Sequence, residues 1–176
     1  MKKSALTTFL LLTAISCRAE QPDVLKILGY EFFEGEPFVS ERLHNRYFYL
    51  QNESESSWTT MFSIYSGRFP NDPDLREDLR ESLLKVVLKR TKILPPKVYD
   101  TDSSDNLLVD YVMDPTETGA MEYVIMRSFG PKEGKLITIA FRRRAHSAVD
   151  IFVHEISESR ESLVEQFLVD TADITQ

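Results

Sequence analysis

The stretch 107–144, LLVDYVMDPTETGAMEYVIMRSFGPKEGKLITIAFRRR, decides the fold. It holds three runs rich in β-branched and aromatic residues: Leu107–Met113, Met121–Phe129 and Lys135–Arg144. Asp114-Pro115 through Gly119 separates the first two. Gly130-Pro131-Lys132-Glu133-Gly134 separates the last two. Short joints built from Gly, Pro and Asp between such runs specify an antiparallel three-strand meander.

Reading toward the N-terminus gives a second sheet unit. Leu43–Gln51 carries Tyr47, Phe48 and Tyr49, and Trp58–Arg68 reads WTTMFSIYSGR. In the latter, Trp58, Thr60, Phe62, Ile64 and Ser66 alternate with Thr59, Met61, Ser63 and Tyr65. The polar joint Asn52–Ser57 makes the pair an antiparallel hairpin. Lys26–Phe33 reads as one further strand, closed by a turn at Glu34-Gly35-Glu36-Pro37.

Between hairpin and meander, Asp72 is a helix N-cap and Pro73 fits the first helical position. Leu75, Leu79, Leu83, Val86 and Val87 follow at helical spacing. Lys89, Arg90 and Lys92 gather where the helix dipole favours cations, and Pro95-Pro96 stops the run. Pro73–Arg90 is therefore expected to be an amphipathic helix. Ser147–Val169 carries a second apolar stripe, interrupted by Arg160, with Ser157-Glu158-Ser159 a candidate break; the alternative makes Asp150–Ile156 a strand. The expected order is β-β-β-α-β-β-β-α. The expected fold is α+β, an antiparallel sheet of hairpin plus three-strand meander covered by two helices. In that element order the chain resembles the PsbP-like and DcrB-like exported domains, over most of its length after the N-terminal segment. The resemblance implies a small extracytoplasmic accessory or binding domain.

The chain begins MKKSALTTFLLLTAISCRAEQ. Lys2 and Lys3 precede the uncharged run Ala5–Ile15. That run is too short to cross a bilayer, which takes about 20 apolar residues, and it fits a signal-peptide core. Residues 1–19 are expected to be removed, 20–26 to form a tether, 27–170 a single α+β domain and 171–176 a C-terminal tail. Cys17 is the only cysteine among the 176 residues. Ala14-Ile15-Ser16-Cys17 resembles the lipobox of bacterial lipoproteins, which implies acylation of Cys17 and cleavage before it. Ala14 stands where Leu is usual. The rival is ordinary cleavage after Ala19, with Cys17-Arg18-Ala19 as small-x-small. The expected location is the periplasmic face of a membrane, or the soluble periplasm if Cys17 is not acylated. Arg18 stands where inner-membrane retention in enteric bacteria uses Asp, which leaves the outer membrane as default.

Charge and motifs narrow the chemistry. Without Lys2 and Lys3 the balance is 19 Lys+Arg against 28 Asp+Glu, a net of −9, which disfavours nucleic acid. His154-Glu155-Ile156-Ser157-Glu158 opens like HExxH, but Glu158 replaces the second histidine. His146, Asp150 and His154 could share a helix face, and they define the alternative reading of a small periplasmic hydrolase. Asp100–Asp105 lacks the Gly of a calcium loop, and Tyr111 stands where its bidentate Glu would be. There is no GxSxG, Walker loop or GxGxxG. No residue is assigned a catalytic, cofactor or metal-ligand role, and no catalytic motif is evident. Arg142-Arg143-Arg144 ends a strand and is the candidate anion contact, weighed against simple pairing with carboxylates. The expected function is an exported, lipid-anchored binding or accessory protein of the bacterial cell envelope, its partner an envelope protein or small ligand. A structural subunit of an envelope assembly is the remaining alternative.

Overall fold

A computed structural model of the chain describes residues 24–39, 43–68, 81–82, 84–85, 93–101, 106–113, 119–132 and 135–174. The strands are β1 (Val24–Ile27), β2 (Tyr30–Glu34), β3 (Phe38–Val39), β4 (Leu43–Tyr49), β5 (Thr60–Arg68), β6 (Lys97–Tyr99), β7 (Leu107–Met113), β8 (Met121–Lys132) and β9 (Lys135–Ala145). They are followed by one helix, α1 (Val149–Asp170). All pairings are antiparallel. The order across the sheet is β1-β2-β4-β5-β9-β8-β7-β6, with β3 also paired to β4.

The meander β7-β8-β9 and the hairpin β4-β5 form where the sequence placed them. They meet through β5 and β9, whose nine-residue register runs from Thr60↔Arg143 to Arg68↔Lys135. The expected cover of two helices is corrected. The molecule is mostly antiparallel sheet, closed among the described residues by one long helix. Three short strands account for much of the difference. The run 26–33 is split by a two-residue turn at Leu28-Gly29, both with positive φ (53° and 78°), giving β1 and β2. Leucine is an unusual occupant of that turn conformation, so the chain there read as one strand. β3 and β6, of two and three residues, are too short for periodicity to reveal. The expected helix Pro73–Arg90 lies outside the described residues, except that Glu81, Ser82, Leu84 and Lys85 are helical.

Side chains alternate across the strands, so one row of cross-strand partners runs Glu34, Phe48, Phe62, Phe141, Ile125, Asp110, Lys97. The apolar centre of this row is fully buried under α1, with Phe152, Ile156, Val164 and Phe167 packed against it. Its ends are polar and paired. Glu34 accepts from Arg46 Nε and Nη2 at 2.7 and 2.9 Å, and this guanidinium holds its carboxyl below the usual range. Lys97 reaches Glu161 of α1 at 2.6 Å.

α1 is continuous. Ser159 Oγ donates to Glu155 O and Ser162 Oγ to Ser159 O, so these hydroxyls bond back along the helix and cap no new one. Arg160 breaks the apolar stripe because it turns inward. Its Nε and Nη2 bind both oxygens of Asp110 on β7, at 2.5 and 2.6 Å, and Nη2 also reaches Pro95 O at 2.8 Å. Asp110 is wholly buried and takes a third bond from the Tyr123 hydroxyl at 3.0 Å. At the far end, Asp170 accepts the Leu28 N–H at 2.7 Å, tying the β1-β2 turn to the helix.

Two outcomes follow from the Asp110 cluster. Arg160→Leu leaves a buried carboxylate without its cation and should lower stability by about 3 kcal/mol in urea denaturation. Arg160→Leu with Asp110→Asn should cost less than the two singles added together. Burial, then the Asp110 charge, raise both neighbouring phenols: Tyr99 to about 12 and Tyr123 further still. A folded pKa above the unfolded value favours the folded state fully below about pH 10, and the gain is lost as pH rises through the folded value. Absorbance at 295 nm should therefore show Tyr99 and Tyr123 protonated at about pH 11 in the folded chain, ionising only on unfolding.

Candidate functional site

The face of the sheet away from α1 has two halves. Over β7 and β8 it is apolar: Leu107, Val109, Tyr111, Val124 and Met126 cluster with Ala140, and Leu84 packs on them. Over β4, β5 and β9 it is polar and aromatic. The alternation within Phe141-Arg142-Arg143-Arg144 divides the arginines. Arg142 and Arg144 face this side. Arg143 faces α1, where its Nη2 lies 3.2 Å from Glu155 and its guanidinium sits over the Phe152 ring at 5.5 Å.

Glu122 on β8 lies directly opposite Arg144 and one diagonal step from Arg142. Its side chain is 3% exposed. Arg144 Nε and Nη2 reach Glu122 Oε1 at 2.9 and 2.8 Å. The same guanidinium lies over Trp58, 3.5 Å from the ring centroid, a cation–π contact in which its planar shape also allows stacking. Trp58 belongs to this face and not to the Phe62 face expected for it, because β5 begins at Thr60 and Trp58 packs with Tyr49 and Met61.

Arg142 is held less closely. Its Nη1 is 4.0 Å from Glu122 Oε2, and its Nη2 donates to the Tyr65 hydroxyl across a long 3.4 Å. Its Nε is buried with no hydrogen-bond partner. Tyr65 and Arg142 belong to rows on either side of Ser63 and Ala140, which are opposite each other and small. Ser63 Oγ donates to Ala140 O at 3.4 Å. Tyr47, opposite Ser63, meets Tyr65 edge to face at 5.9 Å. Asn45, opposite Tyr65, reaches the Tyr47 hydroxyl at 3.5 Å, and its Oδ1 is a buried acceptor without a partner.

The remaining sequence candidates are dispersed. His44 is exposed on β4 and His154 is exposed on α1. His146 precedes the start of α1 at Val149, so the helical face expected for His146, Asp150 and His154 does not form. Among the described residues no group of three or more His, Cys, Asp or Glu side chains is placed to hold a metal ion. Cys17 and residues 102–105 lie outside the described residues. The structure adds Tyr47, Tyr65, Trp58 and Glu122 to the arginine strand. Their only signal in sequence was strand alternation, which gives faces but not the register that sets them beside Arg142 and Arg144.

No family model, curated protein or solved structure matches this chain.

Glu122 and Arg142 should respond differently to mutation. Glu122→Gln removes the one carboxylate between two cations and should cost about 3 kcal/mol. Arg142→Gln loses only long contacts and should cost less than about 1 kcal/mol. Urea denaturation followed by the fluorescence of Trp58, the single tryptophan, measures both.

Proposed function

We propose that the protein is an exported, lipid-anchored binding or accessory module of the bacterial cell envelope, held at the periplasmic face of a membrane by an acyl group on Cys17. The observation that carries this reading is the N-terminal sequence. A Lys2-Lys3 start, an eleven-residue uncharged run and a lone cysteine follow one another in the order lipoprotein export requires.

One feature of the fold agrees with it. The β4-β5-β9 half of the face away from α1 carries half-buried tyrosines and an under-satisfied arginine, side chains that contribute strongly at binding surfaces. One acyl chain gives only marginal attachment, so stable anchoring takes further acylation or a second contact.

Intact mass of the protein purified from its host's membrane fraction, beside a Cys17→Ser variant, tests the proposal. The expected mass is that of a chain starting at Cys17 plus acyl groups, absent in the variant. An unmodified chain starting at Glu20 in the soluble fraction overturns the anchor.

A further inference from the structure

The three consecutive arginines are not equivalent. In so acidic a chain the ordinary fate of an arginine is a carboxylate partner. Arg143 has Glu155 and Arg144 has Glu122, the latter through two short bonds. Arg142 shares Glu122 only at 4.0 Å. Among the described residues, two guanidinium groups thus share one buried carboxylate at this point of the face, leaving one positive charge in excess. A guanidinium offers five N–H donors. Of those on Arg142, the closest contact is 3.4 Å to a phenol and the Nε–H is buried unpaired. Leaving such donors unmet is costly. Its side chain keeps 29% of its surface exposed, so a dissolved ligand can reach it.

Tyr65 completes the arrangement. Its oxygen accepts from Arg142, which leaves its own hydroxyl hydrogen free to donate. The guanidinium and the phenol converge over Ser63 and Ala140, whose small side chains let both lean inward. Tyr47 walls the site on the β4 side. Donors of two kinds, an excess positive charge and aromatic walls make a place for an oxyanion.

We propose that Arg142 and Tyr65 form a subsite for the oxyanion group, carboxylate or phosphate, of a small ligand. It rests on the reading of the chain as a binding module and gives that module a ligand class. Arg142 supplies charge and N–H donors, and Tyr65 supplies an O–H donor. Arg144 and Glu122 hold the rim in place and are not free to bind.

The test is NMR of the processed chain in detergent micelles, with 15N in arginine, titrated separately with inorganic phosphate and with succinate. Sodium chloride at matched ionic strength is the reference. The Nε–H resonances of Arg142 and of its neighbour Arg144 should shift saturably with one of the two probes, the Arg144 signal reports binding in the Arg142 variant, and the stronger probe identifies phosphate or carboxylate as the source. Arg142→Gln should weaken binding tenfold or more and Tyr65→Phe several-fold, as losing charge-assisted and neutral hydrogen bonds respectively does. Arg143→Gln should leave it within about twofold, because that residue faces α1. Trp58 fluorescence confirms that each variant is folded. A response no larger than that to chloride, or one that survives in Arg142→Gln, overturns the subsite. Processing is read by mass alone, so failure of the subsite leaves the export reading standing.

Discussion

The buried bond between Arg160 and Asp110 is the constraint on which the rest of the architecture depends. A carboxylate taken fully out of water is tolerated only when its charge and lone pairs are met. Asp110 satisfies that condition by drawing Arg160 from α1 and Tyr123 from β8. The helix is thereby fixed in rotation and in height against β7 and β8. Once Arg160 points at Asp110, Phe152, Ile156, Val164 and Phe167 must face the phenylalanine row. The apolar contacts supply most of the stabilisation. The polar pair selects which of several greasy packings is adopted.

Much of this was legible in sequence where period and turn chemistry agreed. The three runs of the meander and the hairpin β4-β5 carry alternation, aromatic residues and Gly- or Asp-rich joints together, and the ladders form there. Arg160 shows the opposite case. By composition it is an interruption of an apolar stripe. Its role depends on Asp110, fifty residues earlier, and no local pattern links the two. The extra strands failed to show for a different reason. β3 and β6 are held by register with their neighbours and not by any preference of their own two or three residues.

The arginine face was half visible. Alternation in Phe141-Arg142-Arg143-Arg144 requires charge on both sides of β9, and the structure divides the three that way. What alternation cannot supply is the identity of the residue across the strand. Glu122 sits opposite Arg144 and Val124 opposite Arg142. That register separates an arginine consumed by a carboxylate from one that is not.

The bond from Leu28 N–H to the Asp170 carboxylate joins positions 142 residues apart. The turn it supports has a leucine in a backbone region that side chains avoid. The β1-β2 corner is therefore the first described part of the chain to leave the ribosome and among the last to gain its native support. Until α1 arrives, β1 is a short hairpin arm with an open edge, a form that alone is at best marginally stable. In a chain made from the N-terminus onward, the β1-β2 corner waits for its support until α1 has emerged.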